Sequence, residues 1–188
     1  MDVRSVRLQP DRIALCPSIR VLTGKPEHLK TFDYLGLHRY FLTFCTHQRR
    51  RIFVTSDRVR TVLEQIQRTA VDQRYALLAY CFMPDHLHLL VEGLTDDADC
   101  RRFIARAKQF SGFYYQRMFG ERLWQRYGFE RTLRRDESAL SVARYILENP
   151  VRAGLAKSAE DYPFLGSSTH AVAEILEAVQ LRDRTWSG

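Results

Sequence analysis

The sequence predicts an α+β fold in which an antiparallel sheet carries two helices on one face. Three observations support this prediction. The spacing of apolar residues switches between the period of a strand and that of a helix, the elements follow the order β-α-β-β-α-β-α, and no internal repeat or Gly/Ser-rich linker divides the 188 residues. This order is typical of the split β-α-β, ferredoxin-like arrangement, whose second sheet face is available for a site.

The first half of the chain supplies a strand, a helix and a hairpin. Residues 39–46 are rich in aromatic and β-favouring residues and predict the first strand. Residues 57–72 carry apolar residues at helical spacing and predict the first helix. The strand-like runs 75–82 and 86–91 are separated only by residues 83–85, which predict a hairpin turn and therefore an antiparallel pair.

The second half supplies two helices and one more strand. Residues 100–119 predict the second helix, which Gly120 closes. Residues 127–133 predict the last strand of the sheet. Asp136 is a suitable N-cap for a third helix, which must end near Pro150 because proline disfavours the helical conformation in the residue before it.

The positive charge is concentrated in one segment. The chain has 29 Lys and Arg against 22 Asp and Glu, a net charge of +7 at pH 7. Residues 101–152 hold 12 basic and 5 acidic residues, which equals the whole excess. A basic segment is often only a solvated helix face, but here aromatic residues lie among the cations, as in surfaces that stack unpaired bases beside phosphates. The composition predicts an anionic partner.

Cysteine usage and hydropathy favour a cytoplasmic protein. The four cysteines show no C-x-x-C pair and no regular spacing, so we interpret them as reduced packing residues. No stretch approaches the roughly 18 uncharged apolar residues of a membrane helix, and the N-terminal residues lack the apolar run of a signal peptide. We therefore expect a cytoplasmic location.

His86 and His88 are the clearest candidates for chemistry. Side chains alternate along a strand, so both imidazoles lie on one face together with Leu90. The apolar side chains of the other face would anchor the strand on the helices: Leu87, Leu89 and Val91. Two adjacent imidazoles can bind one divalent ion. Taken alone, however, an H-x-H motif favours two ordinary hydrogen-bonded histidines.

Several other metal or phosphate chemistries are excluded by motif. A two-histidine phosphoesterase needs two H-x-[ST] motifs, whereas Leu89 follows His88 and no second copy exists. The metalloprotease motif H-E-x-x-H is absent, and so are a P-loop and a glycine-rich nucleotide fingerprint.

The predicted third helix has two opposite faces. At 100° per residue one face carries Leu140, Ala143 and Leu147, which we expect to hold the helix on the core. The opposite face carries Val142, Tyr145 and Asn149. The solvent edge consists of polar residues: Glu137, Ser141, Arg144 and Glu148.

Tyr145 is either a second buried contact or a functional residue. Opposite the histidine pair, its phenol would be a nucleophile, and Asn149 one turn later would offer an amide oxygen to the metal. The ion would polarise a phosphoryl oxygen and orient a phosphodiester for in-line attack.

Three motifs in order resemble those of one enzyme family. Residues 83–91 read MPDHLHLLV, residues 123–126 read LWQR, and residues 143–154 read ARYILENPVRAG. Together they resemble the single-tyrosine HUH transposases, and more closely the transposases associated with repetitive extragenic palindromes (REP). The resemblance covers roughly residues 34–164.

The resemblance implies a division of the chain. We expect an irregular N-terminal arm at residues 1–33, a catalytic domain at residues 34–164 whose last helix carries the tyrosine, and a C-terminal tail with a short helix at residues 165–188.

The resemblance also implies roles for the candidate residues. His86 and His88 would bind Mg²⁺ or Mn²⁺, Asn149 would be the third metal ligand, and Tyr145 would be the nucleophile. Such enzymes cleave single-stranded DNA near a hairpin, join the tyrosine to a 5′-phosphate, release a 3′-hydroxyl and can reverse the step. The implied partner is single-stranded or hairpin DNA containing repetitive extragenic palindromes, bound by a monomer or a homodimer. The activity would take place at the bacterial nucleoid.

Two features depart from or modify the family pattern. The family commonly has Asn where this chain has Asp85, which adds a negative charge beside the metal histidines and can alter metal preference. Pro150 follows Asn149 and affects how that side chain is directed.

The expected DNA contacts lie in the basic segment. They are Arg101, Arg102, Arg106, Lys108, Trp124, Arg126, Arg134, Arg135 and Arg152.

Two other functions are compatible with the same residues. The first is a hairpin-binding protein that has lost catalysis. The second is a metal hydrolase in which His86 and His88 act with water. Of the three functions, only the tyrosine transposase would form a covalent protein–DNA adduct.

Overall fold

A computed structural model describes residues 34–126, 129–133 and 138–185. The strands and helices follow in the order β1 (Arg39–Cys45), α1 (Ser56–Asp72), β2 (Tyr75–Met83), β3 (His86–Gly93), α2 (Cys100–Phe119), β4 (Phe129–Thr132), α3 (Ala139–Leu147), α4 (Asn149–Arg152), β5 (Leu165–Gly166) and α5 (Val172–Thr185). A 3-10 turn, His47–Arg49, lies between β1 and α1. The predicted arm at residues 1–33 is outside the described residues.

The sheet has the strand order β4-β1-β3-β2-β5, and every neighbouring pair is antiparallel. β3 lies at the centre, and α1 and α2 pack against each other, with α1 contacting β2. The order of the first four strands is that of the split β-α-β arrangement. The predicted fold class is confirmed.

One face of β3 is buried on the side of the sheet where α2 lies. Leu87 is fully buried and lies opposite Phe44 of β1, so the two side chains share a face. Lys108 of α2 lies over the Phe44 ring on that face. The other residues of this face of β3 are also fully buried: Leu89 and Val91. The predicted burial of this face is confirmed.

The other face of β3 is covered by α3 and α5. Leu90 and Phe41 share a buried cluster with α3 and with Ile175 of α5. The buried residues of α3 are Val142, Ala143, Ile146 and Leu147. We predicted Val142 on the side turned away from the core, which is wrong. Because α5 packs against α3, the apolar arc of α3 is wider than contact with one sheet requires.

The helix ends follow capping rules. The Asp99 carboxylate accepts hydrogen bonds from the first backbone N–H groups of α2, and Gly120 ends that helix with a φ of 72°. The backbone N–H of Ser141 donates to Ser138 Oγ, the N-cap of α3, whereas the predicted cap Asp136 is outside the described residues. α3 ends at Leu147, and Pro150 lies in the first turn of α4, where a missing N–H does no harm.

Residues 165–185, predicted as a tail with a short helix, contribute β5 to the sheet and α5 to the cluster around α3. In the part of the chain that the structure describes, no helix combines the length and the apolar character needed to cross a membrane.

Candidate functional site

The two histidine side chains converge at the start of β3. His86 lies opposite Cys45 and His88 opposite Thr43 in the register with β1, so all four side chains share one face of the sheet. The Nε2 atoms of the two imidazoles are 3.1 Å apart. One nitrogen of each ring therefore faces the same point.

The remaining nitrogen of each imidazole is held by a neighbouring side chain. His86 Nδ1 lies 2.6 Å from Asp85 Oδ1, and His88 Nδ1 lies 2.9 Å from Thr43 Oγ1. An ionised carboxylate only accepts, so the neutral His86 ring carries its proton on Nδ1 and its Nε2 lone pair faces His88 Nε2. Metal-binding histidines are usually held in this way through their second nitrogen.

The protonation states suit metal binding. Burial, together with the nearby charges of His86, Arg152 and Arg49, lowers the pKa of His88 well below its usual value, so that its ring is neutral at pH 7. Burial acts to raise the pKa of Asp85. The hydrogen bond from His86, the charge that this ring carries when protonated, and the charge of Arg49 together outweigh burial and lower that pKa below its usual value.

The histidine pair fits a divalent ion with several open positions. Adjacent ligands of an octahedral ion with bonds of about 2.1 Å lie about 3.0 Å apart, close to the observed Nε2 separation. Among the described residues, no group of three His, Cys, Asp or Glu side chains is arranged to hold a metal ion. A divalent ion bound by the two histidines would therefore need further ligands of another kind, such as an amide oxygen, a phosphate or water.

Tyr145 lies on the histidine face of the sheet. Its partly buried ring meets the ring of Phe41 edge-on, with centroids 6.2 Å apart. Phe41 in turn packs against His88, with centroids 5.4 Å apart. The candidate nucleophile and the histidine pair are therefore joined by one phenylalanine of β1.

The side chains of Asn149 and Arg152 both donate hydrogen bonds to the backbone at the end of α3. The Asn149 amide nitrogen donates to the carbonyl oxygens of Tyr145 and Ile146, at 3.1 and 3.3 Å. The Arg152 guanidinium donates to the Tyr145 carbonyl oxygen and lies over the Tyr145 ring, with Cζ 4.1 Å from the centroid. Arg152 also forms an ion pair with Glu148, in which Nη1 lies 3.5 Å from Oε2.

Comparison with known proteins identifies the family. Residues 35–149 match the family model described as "Transposase IS200 like". The chain belongs to the IS200-like transposase family. The resemblance predicted from the three motifs is confirmed at this level, and the matched residues include His86, His88 and Tyr145.

Two relatives are similar over most of this IS200-like transposase. A Haemophilus influenzae protein assigned by name to the REP-associated tyrosine transposases is 27% identical over 147 residues, which is 72% of this chain and 83% of that protein. The solved structure of a REP-associated tyrosine transposase bound to a REP hairpin superimposes with a TM-score of 0.60 at 22% identity, covering 71% of this chain and 79% of that one. The structural likeness supports the fold.

The α2 arginines of the transposase are not beside the histidine pair. Arg101 lies over the ring of Tyr34, and the N-terminus of α2 is bonded to the Tyr34 carbonyl oxygen. Tyr34 stacks on Tyr40, which lies opposite Val91, five residues along β3 from His86. That separation is about 17 Å. Arg102 and Arg106 follow on the same helix.

Trp124 and Lys108 both make polar contacts within the protein, and the expectation that they contact DNA stays a prediction. The indole is 6% exposed, packs against Phe44 and Phe53 and donates to Ser111 Oγ at 2.9 Å. The aromatic content of the basic segment did not indicate that Trp124 packs in the core against Phe44 and Phe53. Lys108 Nζ donates to the carbonyl oxygens of Gln125 and Arg126, and burial lowers its pKa.

Arg126 lies near the histidine end of the sheet. It follows Gln125, whose N–H donates to the carbonyl oxygen of Cys45, directly opposite His86. The Arg126 side chain is exposed. Arg134 and Arg135 are outside the described residues.

Sequence reasoning missed Phe41, Thr43 and Arg49. Phe41 and Thr43 are alternate residues of β1 and therefore share a face, but only the register with β3 shows that this face meets the histidines. Arg49 contacts Asp85 from the turn after β1. Two residues of this turn have positive φ angles, but neither is a glycine, so the sequence does not reveal the turn.

Proposed function

We propose that this chain is a metal-dependent single-stranded DNA nuclease and strand transferase of the REP-associated branch. It would cleave beside hairpins of repetitive extragenic palindromes through a covalent phosphotyrosine. The main support is one arrangement: two imidazole Nε2 atoms 3.1 Å apart, separated from Tyr145 by the ring of Phe41. Membership of a transposase family gives that arrangement a DNA substrate.

The choice of DNA element rests on the relatives. One relative is named for REP association, and the solved one is bound to a REP hairpin. The chain covers about four fifths of the length of each, so the proposal extends to a similar domain.

The proposed metal is Mg²⁺ or Mn²⁺. His86 and His88 would hold it through Nε2, and Asn149 would add its amide oxygen, because the amide nitrogen is already bonded to the end of α3. Imidazole nitrogen is a softer donor than the oxygens that Mg²⁺ prefers, so we expect Mn²⁺ to bind more tightly. When bound, the ion would polarise a phosphoryl oxygen and orient the phosphodiester for in-line attack.

Tyr145 would carry out the covalent step. Its hydroxyl oxygen forms a bond to phosphorus while the bond from phosphorus to O3′ breaks. The hydroxyl proton passes to water, and the departing O3′ takes a proton from water to become a free 3′-hydroxyl. Phe41 and Arg152 both contact the tyrosine ring, which limits its motion before the attack. The reverse reaction rejoins the strands.

The proposed DNA contacts divide into two groups. Arg126 and Arg152 lie near the histidine end of the sheet and near Tyr145, where they suit the strand being cleaved. Arg101, Arg102 and Arg106 lie on α2 and suit a more distant part of a hairpin. Lys108 and Trp124 are left out of the proposed surface, because Lys108 is half-buried and bonded to two backbone carbonyl oxygens and the Trp124 ring is buried.

The test is formation of a covalent adduct. The chain is incubated with a single-stranded oligonucleotide carrying a REP hairpin, in Mn²⁺, in Mg²⁺ and in EDTA, and adducts are resolved by denaturing electrophoresis. We expect adduct only with metal, and none from Tyr145→Phe. Tyr114→Phe is the matched control, because Tyr114 is an exposed tyrosine of α2.

Other outcomes would support the competing functions. Undiminished adduct from Tyr145→Phe would overturn the assignment of the nucleophile. Hairpin binding that ignores EDTA, with no cleavage in any metal, would indicate a binding protein. Cleavage without adduct would indicate a metal hydrolase that uses water.

A further inference from the structure

We infer that Asp85 and Arg49 form a charge-balanced support that positions His86 as a metal ligand while keeping the Asp85 carboxylate off the metal. The inference rests on the metal site proposed above. It assigns Asp85 as a positioning residue and Arg49 as the residue that holds Asp85 in place.

The first contact joins Asp85 to His86. Asp85 Oδ1 lies 2.6 Å from His86 Nδ1 and accepts its proton. This bond fixes the orientation of the ring, and a carboxylate on the far nitrogen makes Nε2 a more basic ligand. Asp85 lies in the turn between β2 and β3, and His86 is the first residue of β3. The contact therefore depends on how the Asp85 side chain is held.

The second contact joins Asp85 to Arg49. Asp85 Oδ2 lies 2.9 Å from Arg49 Nε, so both carboxylate oxygens are engaged. Arg49 Nη1 also donates to Cys45 Sγ at 2.8 Å, and Cys45 is the residue opposite His86. Carboxylate oxygens are preferred ligands of Mg²⁺ and Mn²⁺. The guanidinium therefore keeps this carboxylate on His86 and away from an ion at Nε2.

The backbone of the turn is shaped to make these contacts. Gln48 and Arg49 have φ angles of 58° and 54°, left-handed values that are unfavourable for residues with a Cβ. Strained conformations persist where the surroundings over-determine them. Here the fully buried Thr46 supplies that constraint. Its N–H and its hydroxyl both donate to the Asp85 carbonyl oxygen at 3.0 Å, and Ile52 and Phe53 bond to Pro84 beside it.

The charges of the support cancel. Asp85 places one negative charge next to the histidine pair, and Arg49 places one positive charge against it. Asp85→Asn would weaken the bond to His86 and also leave the Arg49 charge uncompensated near a divalent cation. Removing Arg49 as well would relieve the second of these effects.

The experiment measures Mn²⁺ binding to the full chain without DNA, by the loss of the free Mn²⁺ signal in electron paramagnetic resonance. We expect Asp85→Asn to weaken binding about tenfold or more, as for other residues that support a metal-binding histidine. The double variant Asp85→Asn/Arg49→Gln should bind more tightly than Asp85→Asn alone. Glu92→Gln is the matched control. It removes an exposed ion pair with Arg39 at the other end of the same two strands, and it should leave the Mn²⁺ affinity unchanged.

The outcomes separate the inference from the metal site itself. If the unsubstituted chain binds no Mn²⁺, the metal site fails and the inference fails with it. If that chain binds Mn²⁺, His86→Ala abolishes binding and Asp85→Asn does not alter it, only the inference is overturned. A double variant no tighter than Asp85→Asn would overturn the charge balance.

A measurement without metal tests the positioning directly. Nitrogen NMR of the metal-free chain should show the His86 proton on Nδ1, and Asp85→Ala should shift it toward Nε2. Equal tautomer populations in the two proteins would contradict the inference. Circular dichroism establishes that each variant is folded, which is expected because Thr46 bonds to the backbone of Asp85 and not to its side chain.

Discussion

The guanidinium of Arg152 stacks on the ring of Tyr145, although the two residues belong to different helices. Its Cζ lies 4.1 Å from the ring centroid, and it also donates to the Tyr145 carbonyl oxygen. Only Glu148, whose backbone is itself helical, separates α3 from α4. Arg152 therefore holds the proposed nucleophile in place.

Arg152→Ala should slow adduct formation. A cation–π contact at a partly exposed site is worth about 0.5–1 kcal/mol, so loss of positioning alone lowers the rate about two- to fivefold. Single-turnover adduct formation at saturating DNA measures this effect apart from binding. Arg144→Ala, which removes the neighbouring ion pair to Glu148, should leave the rate near that of the unsubstituted chain. An unchanged rate in Arg152→Ala would show that the stacking has no role.

His88 should make the stability of the metal-free chain depend on pH. Burial lowers its pKa well below the usual 6.5 in the folded chain, whereas the unfolded chain takes up a proton near that value. Unfolding is therefore favoured as pH falls below about 6.5, by up to about 1.4 kcal/mol per pH unit, and the full stability is present above it. Urea unfolding between pH 5 and 7.5 measures the slope.

His88→Gln should flatten this dependence. His170→Gln, at an exposed histidine, should leave the dependence as it is. The same slope in His88→Gln and in the unsubstituted chain would mean that another group causes it.

Trp124→Ala should destabilise the fold by about 3–5 kcal/mol, because it removes a large buried ring and the hydrogen bond to Ser111. Phe113→Ala, at a ring that is 56% exposed, should cost about 0.5 kcal/mol or less. Chemical denaturation of both variants provides the comparison. If the Trp124→Ala chain kept its full stability but lost affinity for the hairpin, that result would support the prediction that Trp124 contacts DNA.

Arg126→Ala should reduce the salt dependence of oligonucleotide binding. Each phosphate contact on a single strand contributes about 0.7 to the slope of log K against log salt. Lys108→Met should leave the slope unchanged, because the Lys108 ammonium is bonded to two backbone carbonyl oxygens. Fluorescence anisotropy at a series of salt concentrations gives both slopes. Equal slopes in Arg126→Ala and the unsubstituted chain would exclude a phosphate contact by Arg126.

Sequence periodicity predicted what depends on local alternation. The two faces of β3 follow from a period of two, so the shared face of His86 and His88 and the burial of Leu87 were predictable. The same holds for α2, where Gly120 ends the helix with a positive φ.

Contacts made across the sheet were not predictable in this way. Thr43 and Phe41 reach the site through strand pairing between residues 45 and 49 positions apart, which one sequence does not specify. Val142 was misplaced because α5, a later element, covers α3 from a second side. The Arg49 contact depends on two left-handed residues that are not glycine, and turn chemistry would not predict them.

The left-handed turn at Gln48 and Arg49 lowers the stability of the folded chain but holds Arg49 against Asp85. Glycine at position 48 would adopt the same backbone without the penalty of a Cβ, so Gln48→Gly should relieve strain in the folded chain. The same glycine would let the turn sample other conformations and release the guanidinium from Asp85. Selection for thermostability alone would therefore tend to loosen this turn, and a more heat-resistant variant obtained at this position should bind its metal less tightly.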